Sequence, residues 1–246
     1  MNKLSIEINN KSFPEITGKA AFTAIENLHF DIENNEFICI VGPSGCGKTT
    51  LLNIIAGLDE QFSGSIKFNH ANNSIKASYV FQTPRLLPWR TVLENIQLAN
   101  EHEDVSLAKI EDLLNSLGLK DNLNSYPHHL SLGMQRRVAL ARAFCVRSDI
   151  LLMDEPFVSL DQPTARKARA LLLDLWAIEP RSVLFVTHDL NEAIELADRV
   201  LFLSESPTHI IADINITIPK DERTTHNINE FKERLKTKNP KIHHLT

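Results

Sequence analysis

The chain has 246 residues, of which 43% are hydrophobic and 23% are charged, as in an ordinary globular protein with one large domain or a core and a subdomain. Its formal net charge is −5, and this lack of a basic field argues against a nucleic-acid partner. No apolar run approaches the roughly 18 residues that span a bilayer, and residues 1–20 lack a secretory apolar core. The cysteines Cys39, Cys46 and Cys145 have no disulfide or metal spacing, so we expect free thiols and a cytoplasmic protein.

The N-terminal segment has the alternation of half-exposed strands. Residues 4–8 alternate apolar and polar side chains, and residues 24–32 are predicted as a second strand that ends at the polar residues 33–35. Together they predict a small antiparallel sheet ahead of the main strand of the core.

A glycine-rich motif follows a short apolar run at residues 37–41, which has the length and β-branched content of a buried strand. Residues 50–56 continue after the motif as an apolar helix. A strand before and a helix after are the context that a phosphate-binding loop requires. The motif has the spacing G-x-x-x-x-G-K-[ST] and reads Gly42, Pro43, Ser44, Gly45, Cys46, Gly47, Lys48, Thr49.

The chemistry of a triphosphate explains these residue types. Glycines let backbone N–H groups approach the phosphates and allow left-handed backbone angles, and the following helix adds N–H donors at its positive end. Lys48 can reach the β- and γ-phosphates, and the hydroxyl of Thr49 can ligate Mg²⁺. The alternative is a glycine-rich turn without a ligand. The full pattern in its proper context favours the phosphate loop, with a triphosphate and Mg²⁺ as its predicted ligands.

The middle of the chain is predicted to be mainly helical. Residues 77–81 are predicted to form a buried strand that ends in Gln82, and a proline-broken connection with apolar residues follows over 83–91. A helical pattern then begins at Val92. Residues 84–147 are therefore predicted as a helical insertion between strands of the core.

Ser131 is a predicted N-cap for a helix that carries the next apolar stripe. The buried run at 150–153 ends in Asp154-Glu155, and the buried run at 183–186 ends in Thr187, His188 and Asp189. A final core strand is predicted at 200–203. After Pro219 the sequence is polar with one short helix and a frayed end, and we assign this tail no function.

Strands that alternate with helices predict a mainly parallel sheet, whose strand ends meet at a ligand crevice. Asp154 suits Mg²⁺ held through water, and Glu155 can polarise the attacking water as a general base. His188 can contact the γ-phosphate or orient that water. The alternatives are that Asp154-Glu155 only caps the next element and that His188-Asp189 only starts a helix. For Phe13 and Phe22, stacking on an adenine ring and packing in a core are both open.

In order and spacing, these motifs resemble those of ATP-binding cassette (ABC) ATPases over about residues 3–205. The stretches 80–95 and 153–161 are similar to the nitrate/sulfonate/taurine importer branch of that family. The motifs that carry the resemblance are the phosphate loop, Gln82, residues 130–134, Asp154-Glu155, Ser159-Leu160-Asp161 and His188.

The resemblance implies an α/β fold: a P-loop NTPase core with a mainly parallel sheet, an N-terminal antiparallel β subdomain and an inserted α-helical subdomain. One ATPase domain would cover residues 1–219, with the helical subdomain at about 84–147, and 220–246 would be a short polar tail. The resemblance also implies catalytic roles for Gln82, Glu155 and His188 and Mg²⁺ ligands at Thr49, Gln82 and Asp154. Implied ATP contacts are Phe13, Gly42, Pro43, Ser44, Gly45, Cys46, Gly47, Lys48, Thr49, Thr50, Ser131, Gly133, Met134 and Asp161.

The family mechanism implies partners as well. Two copies, or this chain and a related ATPase subunit, would close head to tail over two ATP molecules. Residues 86–89 resemble the surface that receives a helix from an integral membrane permease, and a solute-binding protein would be an indirect partner. The chain would then work at the cytoplasmic face of the inner (plasma) membrane. The competing interpretations are a soluble P-loop kinase and a regulatory or DNA-repair ATPase, and residues 130–133 argue against the kinase.

One residue departs from the family pattern. Two adjacent glycines normally follow the serine of the signature, and here the first is Leu132. Its branched side chain either obstructs the approach to the γ-phosphate or points away and leaves the contact to Gly133. Our hypothesis is the second.

Overall fold

The computed structural model describes residues 3–15, 18, 20–68, 75–99, 105–158, 160–240 and 242. Within these residues the chain divides into two compact units. The first unit consists of residues 1–75 and 181–246, and the second of residues 76–180.

The strands of the described residues are numbered in chain order. They are β1 (Lys3–Phe13), β2 (Phe22–Glu33), β3 (Phe37–Val41), β4 (Ser63–Phe68), β5 (Ala77–Val80), β6 (Ile150–Asp154), β7 (Ser182–Thr187), β8 (Arg199–Leu203) and β9 (Ile210–Asn215). The α-helices are α1 (Lys48–Ile55), α2 (Val92–Ala99), α3 (Leu107–Ser116), α4 (Leu132–Cys145), α5 (Gln162–Ile178), α6 (Leu190–Leu196) and α7 (Thr225–Lys238).

The first unit contains the predicted antiparallel sheet, in the order β2-β1-β4. In the central strand Leu4, Ile6 and Ile8 are buried, while Glu7 between them is exposed, as the alternation of the sequence predicts. The pairing of β1 with β2 continues as far as Phe13, so both strands are longer than predicted. The prediction of a small antiparallel sheet is confirmed.

The core sheet of the first unit has the order β7-β3-β8-β9. β3 pairs in parallel with both β7 and β8, and every residue of β3 and β7 is buried. Such continuous apolar runs are typical of parallel strands covered on both faces. β9 pairs antiparallel with β8 and was missed by the sequence analysis, because its residues are half-exposed or exposed and carry no buried run.

The second unit pairs β5 in parallel with β6 and carries the helices α2 to α5. β6 is buried along its whole length. β5 ends at Val80, one residue before the predicted end, and the Phe81 ring that follows stacks on Tyr79 with centroids 4.0 Å apart. The predicted α/β fold with a mainly parallel sheet, an antiparallel sheet and helices is confirmed.

Other expectations concern the tail, the thiols and the helices. α7 extends to Lys238, so the prediction of a frayed end from residue 237 is wrong for Thr237 and Lys238; the buried side chains of Ile228, Phe231 and Leu235 anchor this helix. All three cysteines are buried free thiols. Among the described helices, none combines the length and apolar character needed to cross a bilayer.

Candidate functional site

The first unit builds the glycine-rich loop between β3 and α1. A Cβ atom added at Gly42 would lie 3.0 Å from both Cys46 Sγ and Leu203 Cβ, so a larger residue would force a shift. Gly45 and Gly47 have φ values of 78° and 103°, in the left-handed region that favours glycine. The glycine spacing of the motif therefore follows from the shape of this loop.

Lys48 lies across the loop that precedes it. Its Nζ atom donates hydrogen bonds to the carbonyl oxygens of Gly42 and Pro43, each at 2.8 Å. The residue is 7% exposed, so its charge is held against the loop rather than in bulk water. α1 has no acidic residue in its first turn, and its N-terminal N–H groups add to the positive potential. Loop and helix start together form a cradle suited to anionic phosphates.

The interior of the loop is supported by Cys46. Burial raises the pKa of its thiol, which therefore stays protonated at neutral pH. Its carbonyl oxygen accepts a hydrogen bond from the hydroxyl of Thr208, a residue that is 1% exposed. The remaining motif residues lie at the surface or are half-buried, and they are Pro43, Ser44, Thr49 and Thr50.

β7 delivers His188 to the same edge of the core sheet. β3 and β7 are parallel and in register, with Val41 beside Thr187, so the residues that follow the two strands leave the sheet at one level. His188 is exposed, and the Thr187 hydroxyl holds its turn by accepting from the Asp189 N–H at 3.0 Å and donating to Glu192 at 2.5 Å. The helix-start alternative is correct for Asp189, which caps α6.

An aromatic pair lies at the end of β1 and the start of β2. The rings of Phe13 and Phe22 are stacked, with centroids 5.5 Å apart and an interplanar angle of 12°. Phe13 is half-buried and Phe22 is 49% exposed, so neither ring belongs to the buried core. Lys11 Nζ lies 4.7 Å from the Phe13 centroid and is held by Asp59 at 2.7 Å and by the Gln61 carbonyl oxygen at 2.8 Å. This part-buried ion pair holds the Lys11 ammonium over the Phe13 ring, and the partly exposed rings are suited to stacking on a base.

In the second unit, Gln82, Asp154 and Glu155 follow two paired strands. β5 and β6 are parallel with Val80 beside Met153, so the chain leaves both strands at the same edge. Asp154 ends β6 and is 7% exposed, whereas Gln82 is exposed. Glu155 has a φ of 44°, a left-handed conformation that costs a non-glycine residue on the order of 1–3 kcal/mol and is often found at functional sites.

α4 begins in the signature segment, residues 130–134. Ser131 is its N-cap, as predicted, and the hydroxyl accepts from the Met134 N–H at 3.3 Å. Ser131 is exposed, Leu132 is 49% exposed, and Gly133 and Met134 are half-buried. A Cβ atom added at Gly133 would meet only Ser131 Oγ, at 4.0 Å, apart from the adjoining residues. Because the first turn has no acidic residue, its N–H groups are well disposed towards an anion.

Asp161 occupies the N-cap position of α5 and is exposed, with Oδ2 accepting from the Thr164 hydroxyl at 3.1 Å. This position shows that Asp154 and Glu155 are not the cap of that helix, which was the alternative for them. Ser159, the first residue of the same motif, lies outside the described residues.

Three of these side chains offer oxygen ligands of the kind that Mg²⁺ prefers. They are the hydroxyl of Thr49, the buried carboxylate of Asp154 and the exposed amide of Gln82. Mg²⁺ is commonly bound through one or two carboxylates together with substrate phosphates, so each of these groups is of a kind that suits the ion. When bound, Mg²⁺ neutralises charge on the β- and γ-phosphate oxygens.

Several residues that shape these regions belong to none of the motifs. Gln135 follows the signature segment, and its Nε2 donates to the carbonyl oxygens of Pro127 at 3.0 Å and Leu130 at 3.1 Å, which fixes the approach to α4. The signal that could have found such residues is a polar side chain on an otherwise apolar face of a helix or strand. The others of this kind are Lys11, Asn95 and Arg142.

Curated relatives match almost the whole chain. The chain is 38% identical over 222 residues to an aliphatic sulfonates import ATP-binding protein of Bacillus licheniformis, covering 88% of this chain and 86% of that protein. It is 38% identical over 227 residues to a bicarbonate transport ATP-binding protein of Synechocystis, covering 88% and 79%. These relatives confirm the resemblance to the nitrate/sulfonate/taurine branch.

The fold leads to the same family. A solved structure of a dimeric ATP-binding cassette in a post-hydrolysis state, bound to ADP and Pi, superposes with a TM-score of 0.75 at 28% identity and covers 88% of this chain and 100% of that chain. The family model described as ABC transporter matches residues 25–158. The chain therefore belongs to the ABC transporter family, as one of its ATPase subunits.

Proposed function

We propose that this ATPase couples ATP binding and hydrolysis to solute import through a membrane permease. The observation that carries the proposal is that relatives named as import or transport ATP-binding proteins align over most of the chain, together with the phosphate loop and the exposed start of the signature helix described above.

The nucleotide roles follow from the chemistry of the residues. Lys48 and the N–H groups of its loop bind the phosphates, and the paired rings of Phe13 and Phe22 receive the adenine. Thr49, Asp154 and Gln82 are the residues that would ligate Mg²⁺ when the ion is bound. Glu155 accepts a proton from the attacking water, which forms its bond to the γ-phosphorus as the bond to the β–γ bridging oxygen breaks. His188 orients the water or contacts the γ-phosphate.

A second copy completes the grip on the nucleotide. The N-terminal turn of α4 is at the surface and lacks acidic residues, so it can offer N–H donors to a γ-phosphate bound by another subunit. Asp161, exposed at the start of α5, lies on the loop that would cross between subunits. The neighbouring cassette structure is dimeric, which supports a homodimer or a pair with a related subunit.

The permease would bind at residues 86–89. Trp89 is 69% exposed, whereas Trp176 is half-buried. An exposed indole is typical of a binding hot spot. A permease helix with an apolar face fits this chemistry. The ATPase would then lie at the cytoplasmic face of the inner membrane, with a solute-binding protein as an indirect partner. The proposed solute is a sulfonate, nitrate or taurine.

The experiment is reconstitution of the complete complex in liposomes with its permease and binding protein. We expect the candidate solutes to stimulate ATP hydrolysis and to accumulate inside only when ATP is supplied on the side of this subunit. A chain that hydrolyses ATP, binds no permease and gains nothing from any of these solutes would contradict the import proposal while leaving the ATPase activity standing.

A further inference from the structure

Thr208 joins the strand that begins at Phe22 to the phosphate loop. It lies in the turn at residues 204–209, between β8 and β9, and it is 1% exposed. Its N–H group donates to the carbonyl oxygen of Ala24 at 2.9 Å, and its carbonyl oxygen accepts from the Glu26 N–H at 3.0 Å. The backbone of Thr208 therefore pairs with the outer edge of β2, which is an edge strand of the antiparallel sheet.

The side chain of Thr208 reaches the phosphate loop. Its hydroxyl donates to the carbonyl oxygen of Cys46. A Cβ atom added at Gly47 would lie 3.5 Å from this hydroxyl and 3.6 Å from the Ala24 carbonyl oxygen, so the loop packs directly against β2 here. Because glycine has no side chain with which to fasten that contact, the hydroxyl of Thr208 supplies a hydrogen bond across it.

The turn that carries Thr208 is closed by its own hydrogen bonds. The Ser204 N–H donates to the His209 carbonyl oxygen at 3.0 Å, and the His209 N–H donates to the Ser204 hydroxyl oxygen at 3.0 Å. The flanking strands β8 and β9 pair antiparallel in the core sheet. Thr208 is therefore held on two sides, by this turn and by β2, where its hydroxyl binds the loop.

β2 also carries one ring of the aromatic pair. Phe22 is its first residue, two residues or about 7 Å along the strand from Ala24, to which Thr208 is bound. A nucleotide whose base lies on the rings and whose phosphates lie in the loop binds both regions at once. Its affinity then depends on how closely the two regions are held at the separation that the nucleotide needs.

We propose that Thr208 is a positioning residue that sets the placement of the phosphate loop relative to the aromatic pair. The loop keeps its own shape through its glycines and Lys48, so Thr208 acts on the joint binding of base and phosphates and not on phosphate binding alone. This positioning rests on the proposed adenine site at Phe13 and Phe22.

Binding of ATP and of inorganic triphosphate to the isolated chain tests the positioning. Thr208→Val keeps the size and the β-branched shape of the side chain but leaves the Cys46 carbonyl group without this donor. We expect ATP affinity to fall by roughly 2- to 12-fold, the range that follows from the loss of one hydrogen bond, and triphosphate affinity to stay the same. Thr208→Ser keeps the hydroxyl and should bind both as the unaltered chain does. The matched control is Thr217→Val, the same loss of a hydroxyl at an exposed position of the first unit, which should change neither affinity.

A double-mutant cycle separates positioning from a general loss of stability. In the Phe13→Ala background we expect Thr208→Val to lower ATP affinity by less than about twofold, because a base that has lost its ring contact gains little from the placement of the loop. Equal effects of Thr208→Val in the two backgrounds, an equal fall in ATP and triphosphate affinity, or no fall in either would overturn the positioning.

Two further results are decisive. If Thr208→Val does not fold, Thr208→Ala removes the same hydroxyl with a smaller side chain and makes the same comparison. If Phe13→Ala leaves ATP affinity unchanged, the proposed adenine site fails and the positioning fails with it. If Phe13→Ala weakens ATP binding and the Thr208 variant does not, the positioning alone fails.

Discussion

The phosphate loop and the connecting segment, residues 84–91 between β5 and α2, both join a strand to a helix, and they are held in opposite ways. The phosphate loop holds its own shape, through the left-handed glycines at 45 and 47 and through Lys48, which bonds to carbonyl groups of its own loop. The connecting segment is held by residues outside it, Asn95 on α2 and Arg142 on α4. The first is a local design and the second a tertiary one.

This difference is visible in the residues of each region. A loop that binds phosphates must present backbone N–H groups in one fixed geometry, so its conformation is best set by the residues of the loop itself. Residues 84–91 contain two prolines and no glycine, and side chains of α2 and α4 bind their carbonyl groups. The predictions that follow change one region at a time.

The largest effect is expected at Glu155 in the second unit. Glu155→Gln removes the proposed proton acceptor but keeps the size of the side chain. We expect turnover to fall by about 10²–10⁴-fold with ATP affinity retained, because general-base catalysis contributes on that order. Steady-state ATPase assays and nucleotide binding measured side by side check this. Glu111→Gln, at an exposed position of α3, should behave like the unaltered chain, and near-normal turnover of Glu155→Gln would exclude the role.

The next effect concerns the phosphate loop and is measured as the ATP affinity of a Lys48 variant. Lys48→Ala removes a charge-assisted contact, which is typically stabilising by about 1.5–3 kcal/mol, so ATP affinity should fall by roughly 10- to 100-fold. Isothermal titration with ATP provides the measurement. Lys67→Ala removes an exposed lysine of the same unit and serves as the control. Unchanged ATP binding by Lys48→Ala would count against its phosphate role.

A smaller fall in ATP affinity is expected when the aromatic pair of Phe13 and Phe22, in the same unit, is changed. Phe13→Ala removes a ring contact worth about 0.5–1.5 kcal/mol, so ATP affinity should fall by roughly 2- to 12-fold, whereas Phe13→Tyr should bind normally. Competition by inorganic triphosphate, which has no base, should be the same for all three chains. If triphosphate binding weakens together with ATP binding, the pair supports the loop rather than the base.

Leu132 is expected to matter least. Its side chain is 49% exposed at the first residue of α4, and our hypothesis is that Gly133 alone makes the contact. Leu132→Gly should then change the ATPase rate by less than about tenfold, or ~1.4 kcal/mol. A much larger gain in rate would show that leucine impairs the signature segment.

The same contrast explains what could be predicted from the sequence. The phosphate loop, the N-cap at Ser131 and the buried strand before Asp154 depend on residues that are adjacent in the chain, so their pattern was sufficient. The stacking of Phe13 on Phe22 had been left open, because burial depends on what the rest of the fold covers.

Other features depend on partners far along the chain and were not predictable. β9 was missed because its pairing with β8, rather than its own composition, makes it a strand. Asn95 looks like an isolated polar residue in α2, and its role appears only when the connecting segment folds back over it. The end of α7 was placed too early, since its helical state depends on burial of Phe231 and Leu235.

The central claim is that one nucleotide is held by two copies of this chain, by the phosphate loop of one and the signature segment of the other. Sedimentation equilibrium of Glu155→Gln with ATP and Mg²⁺ tests it most directly. We predict a dimer with ATP and a monomer with ADP, because only ATP supplies the γ-phosphate that the signature segment of the second copy would contact. A monomer under both conditions, together with an unaltered chain whose specific ATPase activity does not depend on protein concentration, would contradict the account.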